Sequence, residues 1–436
     1  MKKTVAFLSK NKAKILLIYL FMQPFLDLIT SLCLNVMNIH ITIGMIVRFL
    51  FLGCLTVEFL FNKKSKTKKK KLSYLLITII YFILFTSEIL IVKGRTPLFY
   101  ELSNMIRCFY FPISFILLVD YFETENIKIN LKTWNYLFMI YVILIFIPTI
   151  TNTGFNGYTQ GKVGNIGWFN SSNEISAILS LLLPLFVASL KFIKNKIIIV
   201  IEIIMTLYVI FNLGSKIVIL TLGIIILYYA FLYLKKWIQN KEIKKIGLVA
   251  TISIVLLVIS CILIPKTNFY KNIKIHLDFL EVDNITEVIT NPKVFDHFIF
   301  SSRLTFLENT YMNYMDSSIG EKLLGIGYIE NYGTDEVSLK MIEMDPFDIL
   351  FRQGILGFII YFIPLSCALV ELKDRNQKKK ESKNKSYMLS IVIGIILMCL
   401  SGHVLTSPAV SIYLSIILML LLTVENMTKN KRKGMK

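Results

Sequence analysis

A chain of 436 residues that is 55% hydrophobic and 13% aromatic, with a mean hydropathy of +0.65, carries too little polar surface for a soluble protein of that length. Its net charge of +20, from 48 Lys and Arg against 28 Asp and Glu, would suit a nucleic-acid binder. The basic residues instead fall in short clusters between long apolar runs, so no basic domain is left for nucleic acid, and a lipid bilayer is the expected partner.

Taken in chain order, the N-terminal "MKKTVAFLSKNKAKILLIYLFMQPF" is basic and then apolar but lacks an A-x-A cleavage pattern, and reads as an uncleaved first helix. Runs of about 20 apolar residues are what a hydrocarbon core ~30 Å thick demands of a helix. Twelve such runs follow one another, at 15–37, 41–61, 72–92, 104–122, 134–151, 173–193, 197–213, 216–234, 246–264, 346–370, 387–403 and 405–424. The expected fold class is an all-α polytopic membrane protein of about 12 transmembrane helices, with one large extracytoplasmic loop between spans 9 and 10. Three regions follow: a transmembrane bundle over 1–264, the loop over 265–345, and spans 10–12 with a basic cytoplasmic tail over 346–436. Clusters such as "NKKSKTKKKK", "KKWIQNKEIKK", "KDRNQKKKESKNK" and "KNKRKGMK" alternate with poorly basic connections, which places both termini in the cytoplasm. The long loop has seven basic and thirteen acidic side chains and an apolar periodicity of its own, the pattern of short helices over a membrane surface. Loops of this length are usually functional. The six cysteines lie inside apolar runs without a C-x-x-C pair, and the four histidines lack ligand spacing, so neither a metal nor a cofactor is expected.

Ionisable residues within or beside the spans are costly and are the candidates for function. Lys216, in "FNLGSKIVIL", stands at an outer span boundary where basic residues are otherwise scarce. It reads either as a snorkelling side chain or as a cation for an anionic group. Arg303, in "FSSRLTFLENTYMNYM", follows serines that look like an N-cap and has Glu308 as one plausible partner. In "KMIEMDPFDILFRQGILGF", Asp345 and Pro346 look like a cap and first helical position, while Asp348 and Arg352 share a helix face at i,i+4. Asp27 and Arg48 would pair between the first two helices; Glu58 and Glu88 read as interfacial.

Three separated segments resemble the O-antigen polymerase/ligase superfamily. "GWFNSSNEISAILSLLLPL" (167–185) is similar to the family's G-x-F-x-x-x-N, and "LGSKIVIL" (213–220) to its S-R-x-x-x-L. "SSRLTFLE…EKLLGIGY…MDPFDILFRQGILGF" (301–358) is similar to an arginine, a glycine-rich turn, H-N-x-x-L and G-x-x-G. Lys216 stands where many members have arginine, which keeps the charge and loses the fork, and no histidine precedes the tenth span. The resemblance implies a metal-independent glycosyltransferase without a cofactor, using a polyprenyl-pyrophosphate-linked glycan in the cytoplasmic membrane of a bacterium, alongside other polysaccharide assembly proteins. It implies Asp345, Lys216 and Arg303 as catalytic residues, with Asp345 the preferred base ahead of Asp348 and Glu343. Arg352, Asp348 and Asn173 would bind substrate. Polymerase is the first reading, ligase the second, and a flippase or a scaffold without chemistry stands behind both.

Overall fold

The computed structural model describes residues 11–39, 41–62, 65, 67–95, 97–124, 127, 129–157, 163–240, 264–282, 285–329, 340–376 and 384–433. Among them the chain is helical, without a strand, and Asn156 pairs with Asn165 in an isolated bridge. The apolar runs become α1 (Lys12–Asn35), α2 (Ile43–Phe61), α3 (Lys68–Val92), α4 (Leu98–Cys108), α5 (Tyr110–Thr124), α6 (Leu131–Thr151), α7 (Ser172–Ser189), α8 (Lys196–Leu213) and α9 (Lys216–Gln239). After the connecting segment come α10 (Asn268–Phe279), α11 (Ile285–Thr290), α12 (Pro292–Phe295), α13 (Arg303–Asp316), α14 (Ile319–Leu324), α15 (Asp345–Asn376), α16 (Asn384–Leu400) and α17 (Pro408–Lys433).

Eight described helices are long and apolar enough to cross a membrane, α4 and α5 reach that length and hydropathy only as a pair bent by 41°, and α16 and α17 carry shorter apolar stretches. The chain is a polytopic helical membrane protein. The expected run at 246–264 lies almost wholly outside the described residues. The α4–α5 bend has a local cause. Pro112 has no N–H to offer the carbonyl four residues back, at Cys108, and its ring crowds that carbonyl, so one helix stops there and another begins.

The chain divides into two compact units. The first comprises Met1–Ile29, Thr42–Asn130 and Phe295–Lys436. Charges on its helices are paired from one helix to another: Lys12 with Glu58 at 2.6 Å, Arg48 with Asp27, and Lys71 with Asp120 at 3.2 Å. The Asp27–Arg48 pair is the one expected from the sequence. Glu58, read as interfacial, is instead buried on Lys12.

The organising feature of this unit is a break in α15. Gly354 has φ 64° and ψ −178°, so the helix stops at Gln353 and restarts. The 22 residues from 355 to 376 still rise about 33 Å, enough to cross a bilayer. Asp345, Asp348 and Arg352 therefore lie on a separate short helix before the break, which removes the puzzle of an ion pair deep in a continuous span. The break frees the carbonyls of Phe351 and Arg352, which accept from Ile326 N (2.9 Å) and Gly327 N (3.2 Å). Tyr81 of α3 closes the junction, donating to the Gln353 carbonyl at 2.8 Å. Such close backbone contact excludes side chains: a Cβ on Gly325 (φ 109°) would lie 2.1 Å from the Arg352 oxygen. Around the junction, Tyr314, Ile326, Ile342, Met344 and Phe351 form a small apolar core.

The second unit comprises Thr30–Ile41 and Leu131–Val294. Here α7 is buried nearly all round, as an apolar helix without a polar face must be, with α6 and α9 packed on it. Phe138 and Phe186 stack between α6 and α7 at 4.5 Å.

Gly325→Ala should prevent accumulation of folded protein, because backbone stands where its methyl would go. Gly53→Ala, with nothing within 4 Å of the added carbon on α2, should leave or raise stability. Thermal unfolding of both variants in detergent, beside wild type, checks this.

Candidate functional site

The half-helix that opens α15 acts first as a scaffold. The Asp348 carboxylate accepts from three successive backbone N–H groups, Ile342 (3.1 Å), Glu343 (2.9 Å) and Met344 (3.3 Å), and from Arg352 Nε at 3.2 Å. Arg352 then donates to the carbonyls of Gly327 (3.3 Å) and Lys340 (3.0 Å), with the Tyr328 ring 5.2 Å from its guanidinium carbon. Both side chains are 2% exposed. The i,i+4 pair anticipated from the sequence exists, and its work is to tie residues 340–344 and the Gly325–Gly327 turn to the helix. A second buried pair, Lys93 to Glu101 at 2.6 Å, holds the same turn from the other side. Lys93 donates to the carbonyls of Ile326 and Ile329, and Glu101 accepts from the N–H groups of Tyr328 and Ile329.

Asp345 does not cap its own helix as its position suggests. Its carboxylate, 1% exposed, accepts from His403 N (2.8 Å), Val404 N (2.9 Å), Leu405 N (2.7 Å) and Thr406 Oγ1 (2.8 Å). All four donors belong to the α16–α17 connection. Four hydrogen bonds account for the lone pairs a carboxylate has, so Asp345 is arranged to fix that connection.

What these clamps present is a cluster of three charged or titratable side chains. Arg303 Nη2 lies 2.6 Å from Glu343 Oε2, and His403 Nε2 lies 3.8 Å from Glu343 Oε1. Arg303 also donates to the Leu400 carbonyl at 3.3 Å. Unlike the closed pairs, these side chains are partly open, at 11%, 35% and 22% exposure for Arg303, Glu343 and His403. The backbone is strained at all three approaches. Glu343 has φ 61°, His403 φ 60°, and Ser301 and Ser302, just before Arg303, have φ 55° and 65°. Left-handed conformations cost non-glycine residues of order 1–3 kcal/mol and collect where function demands them. Gly402 shows how tightly the loops approach, since a Cβ there would lie 2.7 Å from the Glu343 carbonyl. Burial would raise the Glu343 carboxyl, but His403 and Arg303 outweigh it and hold the group down at about 2.

Two local readings of the Arg303 segment change. Ser302 makes no side-chain cap; Asp296 takes the Leu304 and Thr305 N–H groups, each at 3.0 Å. The partner of Arg303 is Glu343, from 40 residues on, with Glu308 left aside.

In the second unit, Gly214 in the left-handed region (φ 73°) ends α8, and Ser215 leads directly into α9 with Lys216 as its first residue. Lys216 Nζ lies 3.3 Å from Nδ1 of the buried His276. Helix α10 is sewn to this turn by the face carrying Asn268, Asn272 and His276. Asn272 exchanges two 2.6 Å bonds with the Val163 backbone and donates to Gly214 O, and Asn268 donates to Asn212 O. Asn173 is exposed in the first turn of α7, whose N-cap is Ser171. Among the described residues no group of His, Cys, Asp or Glu is arranged to hold a metal.

Fold and site together define a polytopic helical membrane protein that displays a half-open cluster of fixed charges, backed by two buried ion pairs. Over residues 9–288 and 283–429 the chain matches the model of a family described as O-antigen ligase like membrane protein, and it belongs to that family. It is accordingly a membrane protein of a glycan-handling class. No curated protein matches the chain.

Asp345→Asn replaces an acceptor-only group with an amide that turns N–H toward N–H. Orphaned buried donors cost about 1–3 kcal/mol each, so the variant should melt several degrees below wild type in a detergent thermal scan. The depressed Glu343 carboxyl makes a stability contribution that is complete above its ordinary range near 4.5 and fades as pH falls toward 2. Melting curves at pH 6 and pH 3 should accordingly show a larger loss for wild type than for Glu343→Gln.

Proposed function

We propose that this protein transfers glycan from a polyprenyl-pyrophosphate carrier at the outer face of a bacterial cytoplasmic membrane, with both termini in the cytoplasm and as a polymerase joining repeat units. The observation that carries the reading is the partly open Arg303–Glu343 pair, on a segment that lies within the family match. In the reaction, an acceptor hydroxyl oxygen attacks the anomeric carbon of the donor sugar. The bond from that carbon to the diphosphate oxygen breaks, the diphosphate keeps the electron pair, and the hydroxyl proton passes to a base.

Arg303 suits the developing charge on the leaving group. It is a fixed cation, and its buried Nε–H has no hydrogen-bond partner among the described residues. Lys216, at the start of α9, keeps its part as a cation for phosphate, and Asn173 as a group for substrate. Asp345, Asp348 and Arg352 act as positioning residues, since their hydrogen bonds order the segments that carry Glu343 and His403 and, through Arg352, the Gly325–Gly327 turn. The scheme calls on no metal and no cofactor.

Ligase and polymerase differ in what accumulates when the step is missing. Mass spectrometry of carrier-linked glycans from cells lacking this protein should show single repeat units. Full-length chains on the carrier would reassign the protein as a ligase, and an unchanged pool would return flippase or scaffold to the front. Arg303→Ala should reproduce the deletion, and Arg303→Lys should lose roughly 100-fold in rate because the planar fork is gone.

A further inference from the structure

We propose that residues 152–157 and 163–170, between α6 and α7, form a shelf for the sugars of the glycan, with the Trp168 ring and the Asn35–Asn170 amide pair as its contacts. The inference rests on the transferase reading above and adds to it the place where uncharged sugar is held.

The segment is built to hold its shape. Phe155 N donates to Gly167 O at 2.7 Å, Ile166 N to Phe155 O at 3.1 Å, and Gly157 N to Gly164 O at 2.7 Å. Gly167 has φ 65°, and a Cβ on it would lie 2.5 Å from the Leu144 carbonyl of α6. Phe169, 1% exposed, packs on Tyr141 of α6 with ring centroids 5.6 Å apart. Gly167 and Phe169 are the two residues that match the start of the family's G-x-F-x-x-x-N, and both are buried. Their neighbours Trp168 and Asn170 are left partly open and exposed.

Each of these two side chains is fixed by a short relay. Trp168 Nε1 donates to Thr153 Oγ1 at 3.1 Å. Thr151 spends its proton on Ile147 O, so Thr153 donates onward to Thr151 at 2.9 Å. With its N–H used in this way, the indole has its faces left for a ligand, and these suit the C–H side of a pyranose ring. Asn35 Nδ2, at the end of α1, donates to Asn170 Oδ1 at 3.0 Å and to Ser31 Oγ at 3.1 Å. Both its protons are thereby placed. Asn35 Oδ1 then remains as an acceptor and Asn170 Nδ2 as a donor, neither with a hydrogen-bond partner among the described residues. An acceptor and a donor on two amides bonded to each other complement neighbouring sugar hydroxyls, which both give and take hydrogen bonds. Trp168, Thr151, Thr153, Asn170, Asn35 and Ser31 are all uncharged, which suits a neutral sugar and offers a phosphate no counter-charge. The other edge of the segment is tied to the Lys216 turn, since Asn165 N donates to Asn212 O at 3.0 Å and Asn272 holds the Val163 backbone. One framework thus carries the cation assigned to the diphosphate and the shelf assigned to the sugars.

The probe is oligosaccharide released by mild acid from the carrier-linked glycans of cells lacking this protein, fluorescently labelled and titrated onto full-length protein in lipid nanodiscs. Trp168→Ala and Asn170→Ala should each weaken binding about tenfold or more, and Trp168→Tyr, which keeps a ring, should lose less. In elongation assays on intact carrier-linked glycan, the loss of kcat/KM in Trp168→Ala should lie mainly in KM. Melting temperatures of the variants should stay close to wild type, because neither side chain is buried. Binding and KM of both alanine variants within about twofold of wild type would overturn the shelf. In that case elongation by wild type leaves the transferase reading standing, whereas a wild type that neither binds the oligosaccharide nor elongates sinks both.

Discussion

Two backbone hydrogen bonds organise the first unit. In an unbroken helix the carbonyls of Phe351 and Arg352 would be spent on residues 355 and 356, and the N–H groups of Ile326 and Gly327 would be buried without partners, at about 1–3 kcal/mol each. The break at Gly354 releases the carbonyls to the Gly325–Gly327 turn. From that seam the rest follows. Arg352 lies beneath the turn, where its guanidinium reaches the carbonyls of Gly327 and Lys340 and the Asp348 carboxylate. Asp348 in turn bends residues 342–344, so that Ile342 and Met344 enter the apolar core while Glu343 between them stays partly open.

The charges of this unit sort into two kinds. Lys93–Glu101, Lys71–Asp120 and Asp348–Arg352 are at most 8% exposed, and Lys93, Glu101, Asp348 and Arg352 are surrounded by backbone partners. Breaking such a pair leaves a buried charge unmatched, so these pairs serve specificity of shape at a high cost for losing either partner. Arg303, Glu343 and His403 differ in exposure, in strain, and in having one guanidinium nitrogen unpartnered. Intramembrane charge alone would have pointed equally to both kinds. Saturation of hydrogen-bonding capacity separates them.

Much of the fold was legible because a bilayer imposes one simple rule on sequence, and the helices fall where the apolar runs stand. Local pairs were legible too: Asp348 and Arg352 at i,i+4, and Asp27 with Arg48 on neighbouring helices. The break at Gly354 was hidden because a glycine in an apolar run has the same appearance whether or not its φ is positive. Ser302 looked like the cap of α13, and Asp296 took that part through a π-helical turn that no periodicity announces. Lys93, Glu101 and His403 were missed because their partners lie 8 to 236 residues away. One clue to His403 was present: "SGHVLTSP" joins the last two spans on the side assigned to the long loop, so the topology alone would have placed it with Arg303.

The grip of Asp345 on residues 403–406 has a bearing on how the protein is made. A chain emerging from the ribosome inserts the start of α15 some sixty residues before the loop that satisfies this carboxylate exists. Until the final hairpin arrives, a buried acid waits without its donors, and neither the strained histidine nor the wall it forms against Glu343 is in place. A chain ending short of α17 therefore carries a buried carboxylate whose loop is not yet fixed, and the cluster of Arg303, Glu343 and His403 is not assembled. Completion of the last two helices doubles as the signal that the enzyme is whole.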